Sequence, residues 1–89
     1  MELELDGKVA LVTGSSRGIG RAIAEALQSE GCKIAINGRN EDDLANVSKA
    51  LPGSVISQGD ASNPQEARDI VKKVLAALGQ IDILVCNVG

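Results

Sequence analysis

The chain contains no phenylalanine, tyrosine, tryptophan or histidine. Without histidine there is no imidazole to ligate a metal or to activate a serine, so neither a zinc or haem site nor a Ser-His hydrolase is expected. Without aromatics, Ile, Val, Leu and Ala must build the whole core, and no phenol is available as an acid or base. Cysteine is scarce, with two residues, and Cys32 and Cys86 fit no metal-binding spacing. No metal ligand set is therefore assigned. No apolar run approaches the roughly 20 residues needed to span a bilayer. The net charge of −3 gives no general attraction to nucleic acid or to an anionic membrane, and neither is expected as a partner. Met1-Glu2-Leu3-Glu4-Leu5-Asp6 is acidic and lacks the basic start of a signal peptide. A cytoplasmic location is the expectation.

What is present is an ordinary globular composition, 44% hydrophobic and 24% charged, in 89 residues. That is enough for one small domain, residues 1–89, of marginal stability. Strand and helix patterns alternate along it. Lys8 to Thr13 reads as a strand buried on both faces, because Val9-Ala10-Leu11-Val12 is a continuous apolar run. Gly18 to Glu30 reads as a helix with an apolar stripe of Ile19, Ala22, Ile23, Ala26 and Leu27, stopped by Gly31. Lys33 to Asn37 is a second strand. Asn40 then caps a helix whose acidic first turn complements the helix dipole. Its buried stripe is Leu44, Val47 and Leu51, and Pro52-Gly53 ends it. Ser54 to Gln58 is a third strand. Asn63 caps the next helix, with Pro64 at its first position and Glu66 placed to complete a capping box. Its stripe is Ala67, Ile70, Val71, Val74, Leu75 and Leu78, and Gly79 closes it. Asp82 to Cys86 is a fourth strand.

This β-α-β-α-β-α-β alternation implies an α/β fold with a parallel sheet and right-handed crossovers. If the third helix crosses to the opposite face, the strand order is 3-2-1-4. That is a Rossmann-type doubly wound sheet, truncated after its fourth strand. Strands two and four are then about 10 Å apart. Cys32 and Cys86 lie at opposite ends of them, so a disulfide between the two is excluded.

Thr13-Gly14-Ser15-Ser16-Arg17-Gly18-Ile19-Gly20 joins the first strand to the first helix. Close backbone approach and free N–H donors at a helix start suit a phosphate. Gly14 permits the turn, Gly18 clears the place of a diphosphate, and Gly20 lets the helix approach the strand. The hydroxyl of Ser15 or Ser16 is expected to contact the phosphate. The loop resembles the cofactor loop of the short-chain dehydrogenase/reductase family, including members similar to 3-oxoacyl carrier-protein reductases. Gly59-Asp60 follows the third strand where that family has an adenine-contacting Asp, and Ala61 adjoins it. Cys86-Asn87-Val88-Gly89 ends the fourth strand where the family has Asn-Asn-Ala-Gly. Asn87 and Gly89 fit, whereas Cys86 and Val88 depart from the pattern, and the first Asn's role in steadying the sheet is lost. The resemblance implies a cofactor site at Gly14 to Gly20, Gly38, Arg39, Asp60, Ala61 and Asn87 to Gly89. Asp60 could alternatively be a turn residue bonding nearby backbone N–H groups.

An acid at the end of the second strand selects NAD(H) by bonding the ribose hydroxyls. Here the stretch is Ile36-Asn37-Gly38-Arg39-Asn40, with Gly38 in the place of the acid. Arg39 beside it and Arg17 in the glycine loop form a candidate clamp for a 2′-phosphate. NADP(H) is therefore expected over NAD(H).

The resemblance also implies catalysis by a Tyr-x-x-x-Lys pair with a Ser and an Asn. None of these segments occurs before Gly89, and no residue is assigned as catalytic. The first reading is a piece of a longer reductase acting on a carbonyl or alcohol substrate. The second is a stand-alone NADP-binding module without activity. Ile83, Leu84 and Val85 would lie on an open sheet edge, which predicts a homo-oligomer.

Overall fold

The strands of this chain are short apolar runs with helices close on either side, and that brevity shapes the molecule. The computed structural model describes residues 5–87. They form β1 (Val9–Val12), α1 (Gly18–Ser29), β2 (Lys33–Ile36), α2 (Glu41–Ala50), β3 (Val55–Ile56), α3 (Pro64–Leu78) and β4 (Ile83–Val85). The sheet order is β3-β2-β1-β4, and every pairing is parallel. The order and class are those expected from the alternating pattern. The strands are shorter than the apolar runs suggest, and β3 keeps only Val55 and Ile56 of the Ser54–Gln58 stretch.

Alternation along the strands separates two cores. Ala10, Val12, Ile34 and Ile36 face α1 and α2, and pack with Ala24, Leu44, Val47 and Leu51. Val9, Leu11 and Ala35 face α3 and pack with Ile70 and Val74. All four residues of β1 are buried, as a central strand covered on both faces requires. Leu84 pairs with Leu11, yet it remains 54% exposed. The lone α3 does not reach over β4, and no strand pairs with the outer edge of β4 among the described residues.

Three expectations need correction. The face of α1 against the sheet is Gly20 and Ala24, with Ile23 and Leu27 partly buried. Ile19 is 73% exposed, and Ala22 and Ala26 also face outward. The missing side chain at Gly20 lets that side of the helix approach closest, and so sets its rotation. On α3, Leu75 is exposed, because no second helix lies beside it on that face. The capping box at Asn63 closes on one side only. Asn63 Oδ1 accepts from the N–H groups of Gln65 and Glu66, but Glu66 Oε1 accepts from Asp60 N–H. The N–H of Asn63 goes to the Asp60 carbonyl instead.

Cys32 is buried, Cys86 is exposed, and both thiols are free. Among the described residues no helix is long and apolar enough to cross a membrane.

Candidate nucleotide-binding site

Parallel strands bring their C-terminal ends to one edge, so the loops that follow β1, β2, β3 and β4 meet there. They enclose a groove of about 930 Å³. Gly14, Ser16 and Arg17 line it from the glycine loop, Gly38 and Arg39 from the end of β2, Asp60 and Ala61 after β3, and Asn87 after β4. Eight of the expected cofactor residues therefore share one groove. Val88 and Gly89 lie outside the described residues.

The loop after β1 is held by close contacts. Gly14 has φ 61°, a conformation that L side chains rarely adopt. A Cβ there would strike the Asn87 carbonyl oxygen, and one at Gly20 would strike the Gly14 carbonyl oxygen and lie 2.6 Å from Asn87 Nδ2. Asn87 N–H donates to Thr13 Oγ1 at 2.9 Å, and its Nδ2 donates to the Gly14 carbonyl at 3.2 Å. The glycines thus allow β1, α1 and the end of β4 to meet, and Asn87 fastens the junction.

In contrast, Gly18 faces open space, and a Cβ there would meet nothing within 4 Å. It opens α1, whose N-cap, Arg17, makes no side-chain cap bond. α2 and α3 are both capped by asparagine side chains. The first N–H groups of α1 therefore have no acceptor from the N-cap side chain, and the space beside Gly18 is clear, an arrangement that fits a phosphate. Ile19 is exposed on the first turn, and Gly18, Ile19 and Gly20 do not themselves line the groove.

The serines divide. Ser15 is fully buried, and its Oγ donates to the Asn37 carbonyl and accepts from Asn37 N–H. Its hydroxyl is engaged by the end of β2. Ser16 lines the groove and packs against Gly38. A Cβ at Gly38 would lie 3.0 Å from Ser16 Oγ and 3.1 Å from Ser16 Cβ, so any side chain at 38 requires Ser16 to give way.

The arginines stand on different partners. Arg17 pairs with Asp43 at 3.2 Å, with its side chain 83% exposed. Arg39 lies towards Asp60 and helps hold that carboxyl below its ordinary range. The larger causes are the hydroxyl and then the backbone N–H of Ser62, both donating to Asp60 Oδ1. The turn role considered for Asp60 is therefore present.

Sequence reasoning missed Asn37, which is the most heavily bonded polar residue of the site. A polar residue ending an apolar strand just before a glycine was the available signal. It missed Asp43 as well, because an acid in the first turn of a helix is already explained by the helix dipole.

The family model described as short chain dehydrogenase matches residues 8–89. The chain belongs to the short-chain dehydrogenase family. A glucose 1-dehydrogenase of Gluconobacter oxydans is 42% identical over 88 residues, spanning 93% of this chain and 33% of that protein. A 3-oxoacyl-[acyl-carrier-protein] reductase of Salmonella typhimurium is 38% identical, spanning 98% of this chain and 36% of the relative. Among solved structures, L-sorbose reductase from Gluconobacter frateurii, complexed with NADPH and L-sorbose, superposes with a TM-score of 0.95 at 36% identity. All of this chain and 36% of that one are covered. A short-chain dehydrogenase/reductase from Burkholderia phymatum in complex with NAD gives a TM-score of 0.86 at 32% identity, over 92% of this chain and 31% of that one. The chain thus spans about a third of the length of these family members. It matches the part of these oxidoreductases that holds the four-stranded parallel sheet, and the solved relatives carry NADPH in one case and NAD in the other.

Proposed function

We propose that the chain is the NADP(H)-binding segment of a cytoplasmic, homo-oligomeric reductase that moves hydride between NADP(H) and a carbonyl or alcohol substrate. The observation that carries this reading is the end of β2, where Gly38 and Arg39 present a guanidinium and no carboxylate to the groove. The NADPH complex of the L-sorbose reductase supports it. Bound NADPH would supply the hydride.

The residues have distinct tasks in this reading. The open N-terminus of α1, with Gly18, Ile19 and Gly20, holds the diphosphate. Arg39, Arg17 and the Ser16 hydroxyl hold the 2′-phosphate. Arg17 must turn from Asp43, an exposed pairing of little cost to break. Gly59, Asp60 and Ala61 form the adenine wall, and Asn87 bounds the far end. Ser15 acts through Asn37 rather than by touching phosphate. The chain has no tyrosine, so the acid–base step falls to residues it does not contain. The 89-residue chain by itself is expected to consume no NADPH above a blank.

Two charge-assisted contacts to one phosphate should favour NADP+ over NAD+ by about ten- to hundredfold. Calorimetric dissociation constants for both cofactors give the ratio. Arg39→Ala should weaken NADP+ and leave NAD+ nearly unchanged. Equal constants for the two cofactors, or an equal loss for both in Arg39→Ala, would sink the proposal.

A further inference from the structure

Asn37 directly follows β2 with 2% relative exposure, and it faces two walls of the groove at once. Towards the glycine loop, its Oδ1 accepts from Gly14 N–H at 3.2 Å. Its backbone carbonyl accepts from Ser15 N–H at 2.7 Å, and its N–H donates to Ser15 Oγ at 2.8 Å. Towards β3, its Nδ2 donates to the carbonyls of Ser57 at 2.9 Å and Gly59 at 3.2 Å. One buried amide therefore uses both donor hydrogens and its acceptor to tie the loop before α1 to the loop before Asp60.

Both segments turn on a glycine, Gly14 with φ 61° and Gly59 with φ 154°, so neither carries a side chain that could bond across to the other wall. We propose that Asn37 is a positioning residue that fixes the distance between the diphosphate wall and the adenine wall, so that one dinucleotide spans both. This rests on the cofactor reading above. It deepens that reading by assigning the spacing of the two subsites to a residue set back from the phosphates.

The consequence follows from linkage between the two halves of a ligand. A dinucleotide binds tightly only when both walls stand at the right separation, because one half raises the effective concentration of the other. A ligand that touches one wall lacks that requirement. Asn37→Ala leaves Gly14 N–H and two carbonyls without their partner and removes the side-chain tie between the walls, while the backbone bonds of residue 37 to Ser15 remain. Affinity for the whole cofactor falls, while affinity for a one-wall ligand is kept.

The test compares NADP+ with adenosine, which carries the adenine and ribose but neither the 2′-phosphate nor the diphosphate and so meets the adenine wall alone. Calorimetry on the wild-type chain and on Asn37→Ala, with folding checked by far-ultraviolet circular dichroism, gives four constants. The expected result is at least a tenfold loss for NADP+ and less than a twofold loss for adenosine. Equal losses for the two ligands show a general loosening and overturn the proposal, as does unchanged NADP+ binding. If Asn37→Ala does not fold, Asn37→Thr carries the same comparison, because its hydroxyl can keep one of the bonds. Absence of NADP+ and NAD+ binding by the wild-type chain overturns the cofactor reading, and this one with it. Wild-type binding that the Asn37 variants leave intact overturns this one alone.

Discussion

A methyl group at position 20 would press on the Gly14 carbonyl oxygen and lie 2.6 Å from Nδ2 of Asn87. Both are fixed, one as backbone and the other by its bond to Gly14, so α1 would have to move off the sheet. Gly20→Ala should therefore lower stability by about 1–3 kcal/mol, as overpacking does. Its helix propensity points the other way, since alanine is favoured over glycine in a helix by about 1 kcal/mol. A urea midpoint shifted upward in Gly20→Ala would show that packing is not the deciding term. The close contact at Gly20 was readable from the sequence, because the glycine spacing after a strand carries a known geometry. Asn37 was not readable, because its meaning depends on three loops that come together only in the fold. The partition of Ser15 from Ser16 was likewise hidden. Adjacent hydroxyls in a turn look alike until one is buried under the next strand.

At the level of elements, β1 is fastened to β4 at the end of the sheet far from the groove. Asp82 Oδ2 accepts from Val9 N–H at 2.8 Å and from Gln80 Nε2 at 2.8 Å. Asp82 N–H in turn donates to the Val9 carbonyl at 2.8 Å. The Val9 N–H bond is the main reason that the Asp82 carboxyl sits below its ordinary range, with the Gln80 bond and nearby Lys8 adding to it. A lowered folded-state value means that the ionised form stabilises the fold. The contribution is complete above the unfolded value of about 3.9 and fades as pH falls through the folded value. Urea midpoints of wild type and Asp82→Asn should therefore differ at neutral pH and converge below about pH 4. A constant gap across that range would show that the carboxylate's charge is not what matters. Element order was legible from periodicity and caps, and sheet order followed only once the third helix was taken to cross to the opposite face. The rotation of α1 was not, since an alanine-rich helix carries apolar residues over a broad arc, and one glycine decides which part faces inward.

On the scale of the whole molecule, the two faces of the sheet are unequally covered. α1 and α2 bury one core, and α3 alone covers the other. Leu84 stands exposed beside the free edge of β4, while Ile83 and Val85 are half-buried on the opposite face. An edge strand with unpaired N–H and C=O groups and an apolar residue is a template for another chain. We therefore expect the 89-residue chain to self-associate, and Leu84→Lys to shift it towards monomer in sedimentation velocity. A wild-type chain that stays monomeric at high concentration would contradict this.

The partner that completes the central strand arrives last. Val9 reaches Asp82 across 73 positions, and Asn87 closes on Thr13 across 74. β1 pairs with β2 across 24 positions, from Val9 to Lys33, but it gains its second neighbour only when the two ends of the chain meet, and closing so long a loop costs entropy that local helix contacts do not return. This chain should thus fold slowly for its length, as parallel sheets with distant pairings do. The clasp around Gly14 should form after the rate-limiting barrier. A ligand gripping that clasp then acts on the exit from the native state and not on the approach to it. With no tryptophan to follow, stopped-flow circular dichroism is the suitable probe. Saturating NADP+ should slow unfolding and leave the refolding rate as it was; faster refolding would place the clasp early instead.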